Sequence, residues 1–125
     1  MLNHIGITIN SQQEISDFYQ EILGFEIIKN FQINSELSNQ IFEMKNSAEV
    51  FLLKKDNIFL EIFISPQGIV NKYNHVCLSY SNRKDLISQA KEKKYKIRIV
   101  PREDFDLVFV YDKSGNIFEI KELVK

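Results

Sequence analysis

The feature that most constrains this chain is a strand-like phrase that occurs twice. Residues 3–9 read NHIGITI and residues 74–80 read NHVCLSY, 71 positions apart. Each begins Asn-His and continues with an apolar residue at every second position: Ile5, Ile7 and Ile9, then Val76, Leu78 and Tyr80. That period is the mark of a β-strand with one buried face. A chain carrying two such strands reads as two copies of one module.

The segments that follow repeat as well. Seven residues after each His comes a helix N-cap candidate, Ser11 and Asn82, with Glu14 and Asp85 three positions further on. Ser11 with Glu14 matches the capping-box pattern, and Asn82 with Asp85 is a weaker form of it. The first helix carries Ile15, Phe18, Tyr19, Ile22 and Leu23 as one apolar stripe, and Gly24 stands where a helix usually ends. The second shows Leu86, Ile87 and Ala90 before it fades into lysines. Strands are expected at 25–30 and 96–100, then at 49–54 and 58–64 in the first copy and 106–111 and 116–122 in the second. A short extra helix from Ser35, with Leu37 and Ile41 on one face, is expected only in the first copy. The order is β-α-β-β-β twice, an α+β fold, with module 1–66, module 72–125 and the boundary near 65–73.

Strand period also assigns faces. His4, Gly6 and Thr8 oppose the isoleucine row; Phe59, Glu61 and Phe63 oppose Leu60, Ile62 and Ile64. In the second copy His75, Cys77 and Ser79 oppose Val76 and Leu78, and Ile117, Glu119 and Lys121 oppose Phe118 and Ile120. Both histidines of the protein and two strand glutamates therefore lie away from the helices. Glu61 sits in an otherwise apolar heptapeptide, where burying an unpaired carboxylate costs several kcal/mol or more. A divalent cation is one partner that would repay this, and two His with two Glu suit Ni, Zn, Co, Mn or Fe(II). The residues alone equally allow surface histidines and a solvated Glu119–Lys121 pair.

Composition narrows the classes. With 44% hydrophobic and 26% charged residues in 125, the chain reads as one ordinary globular domain. A net charge of −1 with interspersed signs does not favour nucleic acid. No apolar run reaches the roughly 20 residues of a membrane span, and the opening residues lack the pattern of a secretory signal. Cys77 is the single cysteine, so the fold needs no internal disulfide and a reducing cytoplasm is the expected setting.

The module order, the stretch from NHIGITI to FYQEILGFEI and the closing VYDKSGNIFEIKE together resemble the vicinal oxygen chelate superfamily. That group includes glyoxalase I, methylmalonyl-CoA epimerase, extradiol dioxygenases and the fosfomycin and bleomycin resistance proteins. The resemblance implies eight strands curved around one divalent metal, with ligands His4, Glu61, His75 and Glu119. It implies modules paired within one chain or across a homodimer, and a small-molecule substrate with adjacent oxygens. Glyoxalase I-like chemistry would use Glu119 or Glu61 as the base beside a metal-stabilised enediolate. Read from the residues themselves, Arg98 or Arg102 could hold a substrate anion or be surface arginines, and Phe59, Phe63, Phe109 and Tyr111 could line a pocket or pack in a module or dimer interface. Glyoxalase I carries Arg and Asn where this chain has Thr8 and Ser65, a departure that bears on glutathione recognition. The alternatives are an epimerase-like enzyme, an Fe(II) extradiol dioxygenase-like enzyme and a non-catalytic drug-binding protein.

Overall fold

The computed structural model describes residues 2–66 and 74–123. The connection expected around 65–73 therefore lies mostly outside the described residues. The chain divides into two compact units, Met1–Gly68 and Ile69–Lys125.

In the first unit, β1 (Ile5–Ile9), β2 (Glu26–Ile33), β3 (Ala48–Lys55) and β4 (Ile58–Ile64) form a sheet in the order β1-β4-β3-β2. β1 runs parallel to β4, with Ile5 opposite Leu60, Gly6 opposite Glu61 and Ile7 opposite Ile62. β3 is antiparallel to both β4 and β2, and β2 shifts register between Ile27 and Lys29. In the second unit, β5 (Val76–Tyr80), β6 (Lys96–Val100), β7 (Leu107–Tyr111) and β8 (Ile117–Glu122) repeat this as β5-β8-β7-β6. Here Val76 faces Phe118 and Cys77 faces Glu119 in the parallel pair. The eight strands thus form two four-stranded sheets of identical topology.

The alternating rows sort by burial as their chemistry demands. Ile7, Ile9, Leu60 and Ile62 are buried in the first unit, and Leu78, Val108, Val110, Phe118 and Ile120 in the second. Each such side chain contributes about 1.5–3 kcal/mol relative to its exposed state. The buried stripe of the first helical segment is Ile15, Phe18, Tyr19, Ile22 and Leu23, with Phe18 and Tyr19 stacked edge to face. In the second unit α2 (Arg83–Glu92) buries Leu86 and Ala90.

Three local features differ from the sequence-based expectation. The first helical segment is helical from Gln13 and π-wound over Ile15–Gln20, and its first turn closes from the Glu14 N–H to the Ser11 carbonyl (3.1 Å) and from the Ile15 N–H to the Gln12 carbonyl (3.0 Å). Its later bonds span five residues, from the Glu21 N–H to the Ser16 carbonyl (3.1 Å) and from Leu23 to Phe18 (3.0 Å). Asn82 does cap α2, though without a side-chain bond. The extra helix α1 spans Ser35–Phe42, with the Asn34 side chain accepting the Leu37 N–H at 2.8 Å. Its apolar face is not a core face: Leu37 and Ile41 stay exposed, while Phe42 stacks on Phe63 with ring centroids 5.1 Å apart. Finally, His4 and His75 each precede their strand by one residue, because the parallel ladders begin at Ile5 and Val76.

The β7–β8 turn is held by Asp112, a buried carboxylate that accepts the backbone N–H of Ser114 (2.9 Å) and of Asn116 (2.8 Å). Its other oxygen accepts the Asn116 side-chain amide at 2.8 Å. These bonds fix the hairpin, and with it the register that sets Glu119 against Phe109.

Both main helical segments end the same way, with one left-handed residue before a buried aromatic. Gly24 (φ 82°) precedes Phe25, and Lys94 (φ 64°) precedes Tyr95. In both, the aromatic's N–H returns to a helical carbonyl at 2.9 Å. A side chain disfavours this conformation and glycine does not. Lys94→Gly is expected to stabilise the protein by up to about 1 kcal/mol, read as a higher urea midpoint with an unchanged slope.

Candidate functional site

Parallel pairing of the first and last strand of each module decides which side chains meet. Gly6 lies opposite Glu61, so His4, two residues earlier on the same face, reaches the Glu61 carboxylate. The His4 Nε2–Glu61 Oε1 distance is 3.6 Å. The second unit repeats this, with Cys77 opposite Glu119 and His75 Nε2 3.5 Å from Glu119 Oε1. The histidine side chains are 42% and 45% exposed, whereas Glu61 is 24% and Glu119 15% exposed. Each unit thus offers an open imidazole above a half-sunken carboxylate.

The spacing bears on what these pairs can hold. It exceeds the roughly 2.7–3.2 Å of a good nitrogen–oxygen hydrogen bond. Two donors each about 2.1 Å from one divalent ion stand about 3.0 Å apart at a right angle and about 3.4 Å apart at a tetrahedral one. The pairs are within a few tenths of an ångström of that bite, and imidazole with carboxylate is a donor set that Zn, Ni, Co, Mn and Fe(II) accept. The residues fit a divalent cation. Among the described residues, no three or more His, Cys, Asp or Glu side chains gather into a group that could hold a metal ion.

Register defines the surroundings of each pair. Across the first sheet one row runs Gly6, Glu61, Leu52, Lys29; across the second the matching row runs Cys77, Glu119, Phe109, Arg98. A cation therefore stands two strands from the glutamate in both copies, about 10 Å away between backbones at the usual strand spacing. Arg98 is exposed on this face. Arg102, by contrast, lies beyond the end of β6 in the exposed connection to β7. Phe59 and Phe63 share the Glu61 face of β4; Phe59 lies under the Lys54 ammonium (5.5 Å) and Phe63 under Phe42. Phe109 meets the His75 ring edge to face, with centroids 6.5 Å apart.

Two residues at the pairs carry no local sequence signal of their place there. Nothing in SELSNQIF says that its last residue, Phe42, comes to lie against Phe63 on β4. Asn3 belongs to the repeated Asn-His phrase, and its side-chain carbonyl lies 3.0 Å from His4 Nδ1. The repeat of Asn-His was the signal that would have found it.

With this geometry in view, comparisons place the chain. The family model described as the Glyoxalase/Bleomycin resistance protein/Dioxygenase superfamily matches residues 1–120. The chain belongs to that superfamily. Among solved structures it is similar to a glyoxalase family protein from Enterococcus faecalis, with 22% identity, TM-score 0.73 and 96% and 95% of the two chains covered. It is also similar to the genomically encoded fosfomycin resistance protein FosX from Listeria monocytogenes, with 16% identity, TM-score 0.76 and 99% and 93% covered. A variant of that Listeria protein, complexed with Mn(II) and 1S,2S-dihydroxypropylphosphonic acid, matches with 16% identity, TM-score 0.76 and 97% and 90% covered. At these identities the likeness is one of fold. No curated protein matches the chain. Among the described residues no helix is long and apolar enough to cross a membrane.

Cys77 offers a chemical probe of the second pair. Partial burial pushes its thiol pKa up, the Glu119 carboxylate pushes it further, and Lys121 offsets part of this. In metal-free protein its alkylation by iodoacetamide should therefore show a pH midpoint above that of a cysteine in a short peptide. Glu119→Gln should lower that midpoint and speed the reaction at pH 8, measured by mass spectrometry over time.

Proposed function

We propose that the protein is a metal-dependent isomerase or lyase of the glyoxalase I type, with His4, Glu61, His75 and Glu119 as ligands of one divalent ion. The reading treats modules 1–66 and 72–125 as one functional domain and the protein as a homodimer. The observation that carries it is the duplicated His–Glu pair, 3.6 Å and 3.5 Å apart at matched register. Membership of the superfamily supports it.

When bound, the cation supplies Lewis-acid stabilisation of negative charge on a substrate oxygen. The chain's own residues do the rest. Glu119, the less exposed of the two carboxylates, takes the proton from the hydroxyl-bearing carbon beside a substrate carbonyl and returns it to the carbonyl carbon, while the hydroxyl proton passes to the former carbonyl oxygen, so that carbonyl and hydroxyl exchange places. A carboxylate screened from water holds less tightly bound solvent to displace before that transfer. Arg98, in the same cross-sheet row, pairs with an anionic group of the substrate, a role its planar guanidinium suits. Arg102 is a second candidate for that anion from the adjoining loop. Phe59 and Phe63 present apolar surface beside Glu61. Thr8 and Ser65, where glyoxalase I has Arg and Asn, point to a thiol adduct other than that of glutathione.

Metal analysis of untagged protein, stripped and reloaded, tests the ligand set. Wild type should hold one ion per four-ligand set, and His4→Ala, Glu61→Ala, His75→Ala and Glu119→Ala should each lower occupancy. A variant that keeps full occupancy removes its residue from the set. Against hemithioacetals of methylglyoxal and small thiols, Glu119→Gln with metal retained should lose about 10²–10⁴-fold in rate. Full activity in that variant would show that Glu119 is not the base.

A further inference from the structure

The Asn-His dipeptide that opens both modules has a physical use visible at its first occurrence. His4 presents its two ring nitrogens to different partners. Nδ1 lies 3.0 Å from Asn3 Oδ1, and Nε2 lies 3.6 Å from Glu61 Oε1. A neutral imidazole carries one proton, so only one nitrogen donates and the other keeps its lone pair. The Asn3 carbonyl oxygen has no proton to give, and a bond to it requires the proton on Nδ1. That leaves the lone pair on Nε2, the nitrogen facing Glu61.

The two partners pull in opposite directions. The Glu61 carboxylate, taken alone, draws the proton to Nε2 and spoils that nitrogen as a ligand. At 3.6 Å it lies outside the usual hydrogen-bond range, while the Asn3 bond at 3.0 Å lies within it. The nearer acceptor sets the tautomer. Histidines that bind metals generally donate their other nitrogen to such a partner, which orients the ring and raises its basicity.

We infer that Asn3 is a positioning residue for His4: its side-chain carbonyl holds the Nδ1–H tautomer and turns Nε2, unprotonated, toward the Glu61 carboxylate. The inference rests on the proposed metal site for its purpose, but the tautomer itself exists without metal. Asn74 stands before His75 as Asn3 stands before His4. Asn3 is exposed and precedes the sheet, so no ladder position accounts for it.

The test uses the metal-free, full-length protein labelled with 15N-histidine. With two histidines, the long-range 15N–1H spectrum holds two ring systems, and His75→Ala assigns them. At a pH where the ring is neutral, His4 in wild type should show a protonated Nδ1 and a bare Nε2. In Asn3→Leu the proton should move to Nε2, and Asn3→Asp should restore the wild-type pattern. In parallel, calorimetric titration with Zn(II) should show Asn3→Leu binding about 10–100-fold more weakly, with Asn3→Asp recovering affinity. A wild-type His4 protonated at Nε2 would overturn the inference. So would an Asn3→Leu variant with unchanged tautomer and zinc affinity. His4→Ala binding zinc as tightly as wild type would instead overturn the ligand set, and the spectra would still decide whether Asn3 sets the tautomer.

Discussion

The arrangement depends on the parallel pairing of the first and last strand within each module. Parallel strands cannot be joined by a tight turn, so the chain must leave the first strand, cross over and return. Here the crossover is a helical segment and two further strands, and the return strand arrives beside the first with its glutamate opposite Gly6 or Cys77. That one register choice brings a histidine from the start of the module to a carboxylate from its end. A slip of one residue would turn Glu61 and Glu119 toward the helix-covered face, where Leu60 and Phe118 now lie fully buried. The cost of burying a carboxylate there is what holds the register, and so the site chemistry and the fold enforce each other.

Duplication explains why the functional groups come in twos and why the copies are free to differ. Gly6 and Cys77 occupy the same register position, as do Leu52 and Phe109, and Lys29 and Arg98. The His–Glu pair is common to both. The neighbours that would meet a substrate are not: the first unit adds α1 and its Phe42–Phe63 stack, whereas the second has an irregular connection bearing Arg102. On the proposed reading, the shared groups hold the ion and the differing ones select the substrate.

Much of this was legible in the residues. The period of two in IFLEIFI placed Glu61 on the opposite face from Leu60 and Ile62, and the structure agrees. Strand ends at 58–64 and 96–100 coincide with the observed ones, because turns or charged residues bound both apolar runs. The first helix starts where Ser11 marks it, with the Ser11 carbonyl accepting the Glu14 N–H at 3.1 Å, whereas the π winding over Ile15–Gln20, where Phe18 and Tyr19 pack into the core, carries no local signal. Leu37 and Ile41 share a helical face that stays exposed, an outcome that periodicity alone does not report.

By itself the amino-acid sequence determined the order of elements, the faces of the strands and the identity of the paired His and Glu side chains. Those follow from local periodicity and from the expense of burying charge. Only the tertiary structure decided the pairing partners: that β1 lies beside β4 and β5 beside β8, that Arg98 shares a row with Glu119 while Arg102 does not, and that Asn3 turns its carbonyl to His4. Strand partners and register are set by contacts between residues distant in the chain, which no local pattern encodes; the Asn3–His4 contact joins neighbours, and its geometry depends on the side-chain directions the fold leaves them.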